Sequence, residues 1–287
     1  MANLKEIRSR IGSVGSTMQI TSAMKMVSAA KLKRAQDAIV QMRPYANKLT
    51  ELLENLSASL DSSDGGAYAQ KRQVKKVLLV TITSNRGLCG GFNANIIKQT
   101  KALTSEEYSD AEIEIISIGK KSSEHFEKNG FNIVAKHDAI FGQLTFDEVA
   151  KVAETIMDQF LDGYYDKVIL VYNQFKNAAT QIVMTENFLP VTTSKNKETE
   201  IGDYIFEPKK QEIVEQLIPK SLKTQLFKAV LDSYASEHGA RMTAMHKATD
   251  NAGELKKELT LTYNKARQAA ITGEILEIVG GAEALNG

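Results

Sequence analysis

MHKATDNAGELKKELTLTYNKARQAAITGEIL, residues 245–276, contains no proline and returns an apolar or small residue every three or four positions. Met245, Ala248, Ala252, Leu255, Leu259, Thr262, Ala266, Ala269, Gly273 and Leu276 alternate steps of three and four, the heptad spacing that turns one helix face toward a partner helix. Tyr234, Leu231 and Phe227 extend the pattern backwards, so the spacing predicts one helix from about Pro219 to Leu285. A run of roughly 65 residues at about 1.5 Å per residue would be about 100 Å long, far beyond a single-domain core. Such a rod needs a sheath.

The amino-terminal sixty residues supply one candidate. They keep the same register from Leu4 through Ile7, Ile11, Val14, Met18, Thr21, Lys25, Ser28, Leu32, Ala35 and Ile39 to Leu60. A chain that leaves through one helix and returns through another most simply forms an antiparallel pair, with the intervening residues as a separate body. Asn3 is the expected N-cap of the first helix, with Glu6 three residues later. Pro44 is expected to kink or interrupt that helix by removing a backbone bond. Ile20, Ala23, Met24 and Val27 lie off the seam and make a second apolar face, of use to a rod that runs inside other subunits.

The period changes after the polar linker SLDSSDGGAYAQ. VKKVLLVTITSN reads as a buried strand and ANIIKQTKAL as the helix after it. EIEIISIG, SSEHFEKNG, FNIVAKHDAI, TFDEVAKVAETIMDQFLDG and DKVILVYNQF continue as strand, helix, strand, helix and strand, and TQIVMTENFLPV follows as an antiparallel edge closed by Pro190. Thr192 to Glu207 is polar and weakly patterned, the expectation being a loop and short strand. The expected class is therefore α/β: a long antiparallel coiled coil of the terminal helices plus a central Rossmann-like domain. The divisions fall at 1–60 for the first helix, 61–73 for the linker, 74–208 for the α/β domain and 209–287 for the last helix.

The formal charge of +1 lacks the basic balance of a nucleic-acid binder, and a hydrophobic fraction of 43% argues against disorder. Charge is local instead. Over residues 1–43, Lys5, Arg8, Arg10, Lys25, Lys31, Lys33, Arg34 and Arg43 face only Glu6 and Asp37, giving this part of the first helix a basic surface that suits either solvent or an acidic partner. Cys89 is the only cysteine, so no internal disulfide is possible. No apolar run reaches the roughly 18 residues of a membrane span, and MANLKEIRSR has no signal-peptide core. A cytoplasmic protein, peripheral to a membrane through partners, is the expectation.

SNRGLCGGFNAN, residues 84–95, stands at the carboxyl end of the first strand, where α/β sheets place ligand loops. Its glycines, Gly87, Gly90 and Gly91, fit neither GxGxxG nor the Walker spacing. IGKKS at Ile118 to Ser122 fails as well, because Glu114 holds the first glycine place. His125, His137, His238 and His246 form no HExxH pair, one cysteine cannot build a zinc site, and no GxSxG elbow occurs. No catalytic constellation, cofactor or metal is expected.

Three stretches carry a family resemblance: KEIRSRIGSVGSTMQITSAMKMVSAAKLKRAQ, SNRGLCGGFN and YNKARQAAITGEILEIVGGAEAL. With them the chain resembles, over essentially its full length, the gamma subunits of the bacterial F-type ATP synthases. The resemblance implies a non-catalytic shaft standing inside a hexamer of three alpha and three beta subunits. Its foot would meet the epsilon subunit and the membrane c ring, with delta also in the complex, on the cytoplasmic side of the bacterial inner membrane. It implies beta-subunit contacts at Met24, Arg267 and Gln268, and a c-ring contact at Tyr204. Two rivals remain at this stage: a nucleotide-binding enzyme dimerised by its terminal helices, and a free-standing coiled-coil scaffold.

Overall fold

The structure, a computed structural model, describes residues 4–58, 67–70, 72–191 and 210–286. Asn3, Leu60 and residues 192–207, with Tyr204 and the loop and short strand expected there, lie outside the described residues. Two helices frame the chain, α1 over Leu4–Ala58 and α5 over Lys210–Asn286. Between them run β1 (Lys76–Ile82), α2 (Phe92–Ala102), β2 (Glu112–Ile118), α3 (Lys120–Lys128), β3 (Asn132–Lys136), α4 (Phe146–Leu161), β4 (Lys167–Phe175) and β5 (Gln181–Leu189). The chain divides into two compact units, residues 1–28 with 242–287 and residues 29–241.

In the first unit α1 and α5 run antiparallel. The Oγ1 atoms of Thr21 and Thr249 are 2.8 Å apart. Met18 faces Gly253, and the Lys256 ammonium lies 3.7 Å from where a Cβ on Gly15 would stand. On α1 the expected seam holds: Ile7, Thr21 and Ser28 are buried, while Leu4, Ile11, Val14, Met18 and Lys25 are half-buried. On α5 it needs correction. Met245, Ala252, Leu259 and Ala266 are buried or half-buried, but Lys256 and Tyr263 share their face where Leu255 and Thr262 were expected. The reason is reach: the Lys256 side chain extends to Gly15 of α1, a long stem half-buried on the face where Leu255 was expected.

The second unit is built on a five-stranded sheet of order β3-β2-β1-β4-β5, parallel except for β5, which pairs antiparallel with β4. β1 is buried on both faces, which is why it reads as an unbroken apolar run. Leu78, Val80 and Ile82 join one cluster with Val149, Ile156 and Phe160 of α4 and Leu222, Leu226 and Val230 of α5. Val77 and Leu79 point the other way, into a cluster with Ile96 of α2 and Phe126 of α3. Every strand and helix expected between Val74 and Val191 is present. β3 stops four residues sooner than FNIVAKHDAI suggested, giving way to a 3-10 turn over Asp138–Gly142. There the Asn85 amide donates to the Asp138 carbonyl at 2.7 Å, so the backbone partner comes from a loop rather than a strand.

Pro44 does not interrupt α1, which continues through it to Ala58. The carbonyl it leaves without an intrahelical partner is that of Val40, an exposed residue, so water can satisfy it. α5 likewise begins at Lys210, ahead of Pro219.

Candidate functional site

The carboxyl ends of β1 and β4 are where the strand order of the sheet reverses, the place at which open α/β sheets take their ligands. The turn 84–91 leaves β1 at this point. The Ser84 amide donates to Asn93 Oδ1 at 3.0 Å, Asn93 Nδ2 donates back to Ser84 Oγ at 2.8 Å, and Ser84 Oγ donates to the Arg86 carbonyl at 2.7 Å. Two residues of the turn are left-handed, Gly90 at φ 59° and Leu88 at φ 62°. Cys89 is buried beneath it, and that burial pushes its thiol up from the ordinary value.

The start of α3, which meets this turn, is capped by Thr83 and by the first residues of the turn. At the first turn of α3 the Lys120 amide donates to Asn85 Oδ1 and the Ser122 amide to Thr83 Oγ1, both at 3.0 Å, while the Lys121 amide donates to the Ser84 carbonyl at 3.1 Å. The first amides of α3, which could otherwise greet an anion, are spent internally.

The crevice itself is filled by α5. Ser236 Oγ donates to the Asn173 carbonyl at 3.0 Å, and Asn173 Nδ2 donates to the Phe92 carbonyl at 3.1 Å. Ala240 packs on Cys89 and Phe92. A Cβ on Gly239 would stand 3.1 Å from Ala178 Cα, so this glycine permits a close approach of helix to loop. Buried Arg241 donates to Glu237 at 2.7 Å and to the carbonyls of Arg86 and Gly87 at 3.0 and 3.3 Å. His238 beside it is held neutral: burial first, then the charges of Arg241 and Lys31, push its pKa down to about 3. Sequence reading singled out neither Glu237 nor Arg241. The signal was present as an acid and a base four residues apart inside the apolar and small-residue stretch AVLDSYASEHGARM.

The residues expected to meet partners lie elsewhere. Met24 is half-buried on α1, and Arg267 and Gln268 are exposed on α5. In the basic arm, Arg10 pairs with Glu6 and Lys33 with Asp37, each at 2.8 Å. Among the described residues no cluster of His, Cys, Asp and Glu could hold a metal, and no helix is long and apolar enough to cross a membrane.

Past Arg267, α5 has no partner among the described residues. Stepping the pairing of Thr21 with Thr249 and Met18 with Gly253 along the helices brings Leu4 opposite Ala266 and Arg267. α5 runs on to Asn286 with Ile271, Ile275, Leu276, Ile278 and Val279 all exposed, Ile278 at 71%.

The chain thus combines an antiparallel helical pair in its first unit with, in its second, a Rossmann-like body whose ligand crevice is closed by its own helix. The family model described as ATP synthase matches residues 3–285. The ATP synthase gamma chain of Flavobacterium johnsoniae is 66% identical over 288 residues, and that of Cytophaga hutchinsonii 55% identical over 295, both chains covered in full in each case. Among solved structures, a chain from the central stalk and c ring of Tetrahymena thermophila mitochondrial ATP synthase matches at TM-score 0.60 and 27% identity, over 80% of this chain and 99% of that one. A chain from the rotor of Euglena gracilis mitochondrial ATP synthase shares the fold at TM-score 0.70 and 24% identity, over 93% of this chain and 98% of that one. The chain belongs to the ATP synthase gamma-chain family.

Proposed function

We propose that this chain is the central rotor shaft of a proton-translocating F-type ATP synthase, coupling rotation of the c ring to conformational change at the beta subunits. The observation that carries the reading is the unpartnered end of α5. Five large apolar side chains on one helical turn after another cost free energy in water and suit a sleeve supplied by other subunits, here alpha and beta. The shaft performs no bond chemistry of its own. It works beside delta and epsilon, peripheral to the cytoplasmic face of a bacterial inner membrane.

In this role Arg267 and Gln268 offer hydrogen-bond donors to a beta-subunit loop, the arginine as a rigid fork suited to carboxylates. Met24 stands near an acidic beta segment, and Tyr204 meets the c ring. The basic arm, through Lys31, Lys33 and Arg34, steers assembly toward acidic beta surface and so makes it salt-dependent. Half-buried Ala266 and exposed Ala269 keep the middle of the rod short-chained, which gives a surrounding sleeve few interlocks.

Mg-dependent ATP hydrolysis by the chain alone, by alpha with beta, and by all three tests the reading. An inert chain that joins as one copy per hexamer, with turnover that falls on Arg267→Ala and Gln268→Ala, is the expected result. Hydrolysis or tight nucleotide binding by the chain alone would overturn it, as would indifference to the hexamer.

A further inference from the structure

We infer that Arg241 is a positioning residue that clamps the 84–91 turn to α5, so that the α/β body and this helix turn as one piece when torque passes between them. The inference rests on the shaft reading above for its function, and on the geometry of the second unit for its mechanism. The guanidinium is held at one edge by Glu237 and reaches two successive carbonyls of the turn, those of Arg86 and Gly87. These are the two carbonyls immediately before Leu88, a non-glycine residue at φ 62° whose side chain is 66% exposed. A leucine in that conformation is strained, and such strain persists only where surrounding contacts over-determine it. Arg241 supplies that determination from the helix side, while Ser84 and Asn93 supply it from within the turn.

The choice of arginine matters. A planar fork with several donors fixes the angle as well as the distance between the groups it joins, whereas a lysine ammonium fixes only a charge. Arg241 and Glu237 are both buried, so salt screens the pair little. Earlier turns of α5 are held by the core through Leu222, Leu226 and Val230; at the crevice the neighbouring links are weaker restraints on the turn, one hydroxyl bond from Ser236 to Asn173 and the packing of Ala240 on Cys89 and Phe92. The crevice that would hold a nucleotide in a related sheet is thereby a socket for one turn of helix, and Arg241 is its pin.

The test uses the assembled complex in vesicles with Arg241→Lys, Arg241→Ala and Glu237→Gln, reading ATP hydrolysis, ions pumped per ATP, and exchange of the Ser84 and Phe92 amides, which the turn protects through Asn93 Oδ1 and the Cys89 carbonyl. The expected result is faster exchange of both amides, by about tenfold or more for loss of hydrogen bonds to a charged donor. A loss of ions pumped per ATP should accompany it, with Arg241→Lys failing to rescue. Wild-type exchange in Arg241→Lys overturns the clamp, and faster exchange with an unchanged pumping ratio overturns its role in transmission. If a variant does not assemble, amide exchange on the full chain alone still decides the clamp. A wild-type chain that fails to support coupled turnover refutes the shaft reading and leaves the exchange result to stand by itself.

Discussion

Gly119 shows how little latitude single residues have around the turn. It sits at φ 105° between β2 and α3, and a Cβ there would fall 2.1 Å from the Thr83 carbonyl oxygen. Backbone cannot yield as a flexible side chain can, so Gly119→Ala should destabilise the chain by about 3 kcal/mol or more, read as a lowered urea midpoint. His238 makes a prediction about pH. Its pKa falls from 6.5 to about 3 on folding, first through burial and then through Arg241 and Lys31. A depressed value means that its contribution is present above pH 6.5 and is lost as pH falls toward 3. Glu237, whose carboxyl burial pushes up, acts in the opposite sense in wild type and variant alike. Replacing His238 with Gln should therefore flatten the fall in stability across that acid window, by on the order of a few kcal/mol in urea titrations at successive pH values. Glu114 illustrates a buried carboxylate that is fully met instead: Lys76 pairs with it at 2.8 Å and the Tyr165 hydroxyl donates to it at 2.6 Å.

At the scale of elements, α1 is weakened where its glycines fall. A Cβ on Gly12 would meet nothing within 4 Å, and one on Gly15 would make ordinary contact with Lys256. The double replacement Gly12→Ala with Gly15→Ala should raise stability by about 2 kcal/mol from helix propensity, visible as a higher thermal midpoint of the chain. An unchanged midpoint would mean that α1 frays before the rest unfolds. The α5 seam teaches a related lesson. Leu255 is the more apolar residue, but Lys256 has the stem that extends to Gly15, and a pattern read from polarity alone cannot see that reach. Strands fared better in the sequence, because β1, β2 and β4 are covered on both faces and their apolar runs carry an unambiguous period.

For the molecule as a whole, the free end of α5 carries the prediction. Ile275→Ser with Ile278→Ser should leave the fold within about 0.5 kcal/mol of wild type, since both side chains are exposed. It should also reduce self-association of the isolated chain in light scattering and weaken its capture by alpha and beta subunits. Equal capture would show that the apolar end of α5 is not what the sleeve holds.

Period and composition by themselves determined the two terminal helices, the α1 seam, the alternating α/β body and the antiparallel edge at β5, because those features are local repeats of apolar residues at spacings that only helix or strand can satisfy. Family strings in the two arms and the central turn pointed to the shaft. The sequence also excluded the known nucleotide spacings, without saying what the glycine turn was for. Only the tertiary structure decided that. The pairing of Arg241 with carbonyls of Arg86 and Gly87 joins residues some 155 positions apart, and the close approach at Gly239 depends on Ala178 in a different loop. Neither leaves a periodic trace, because a hydrogen bond to a backbone carbonyl asks nothing of the side chain at the accepting residue.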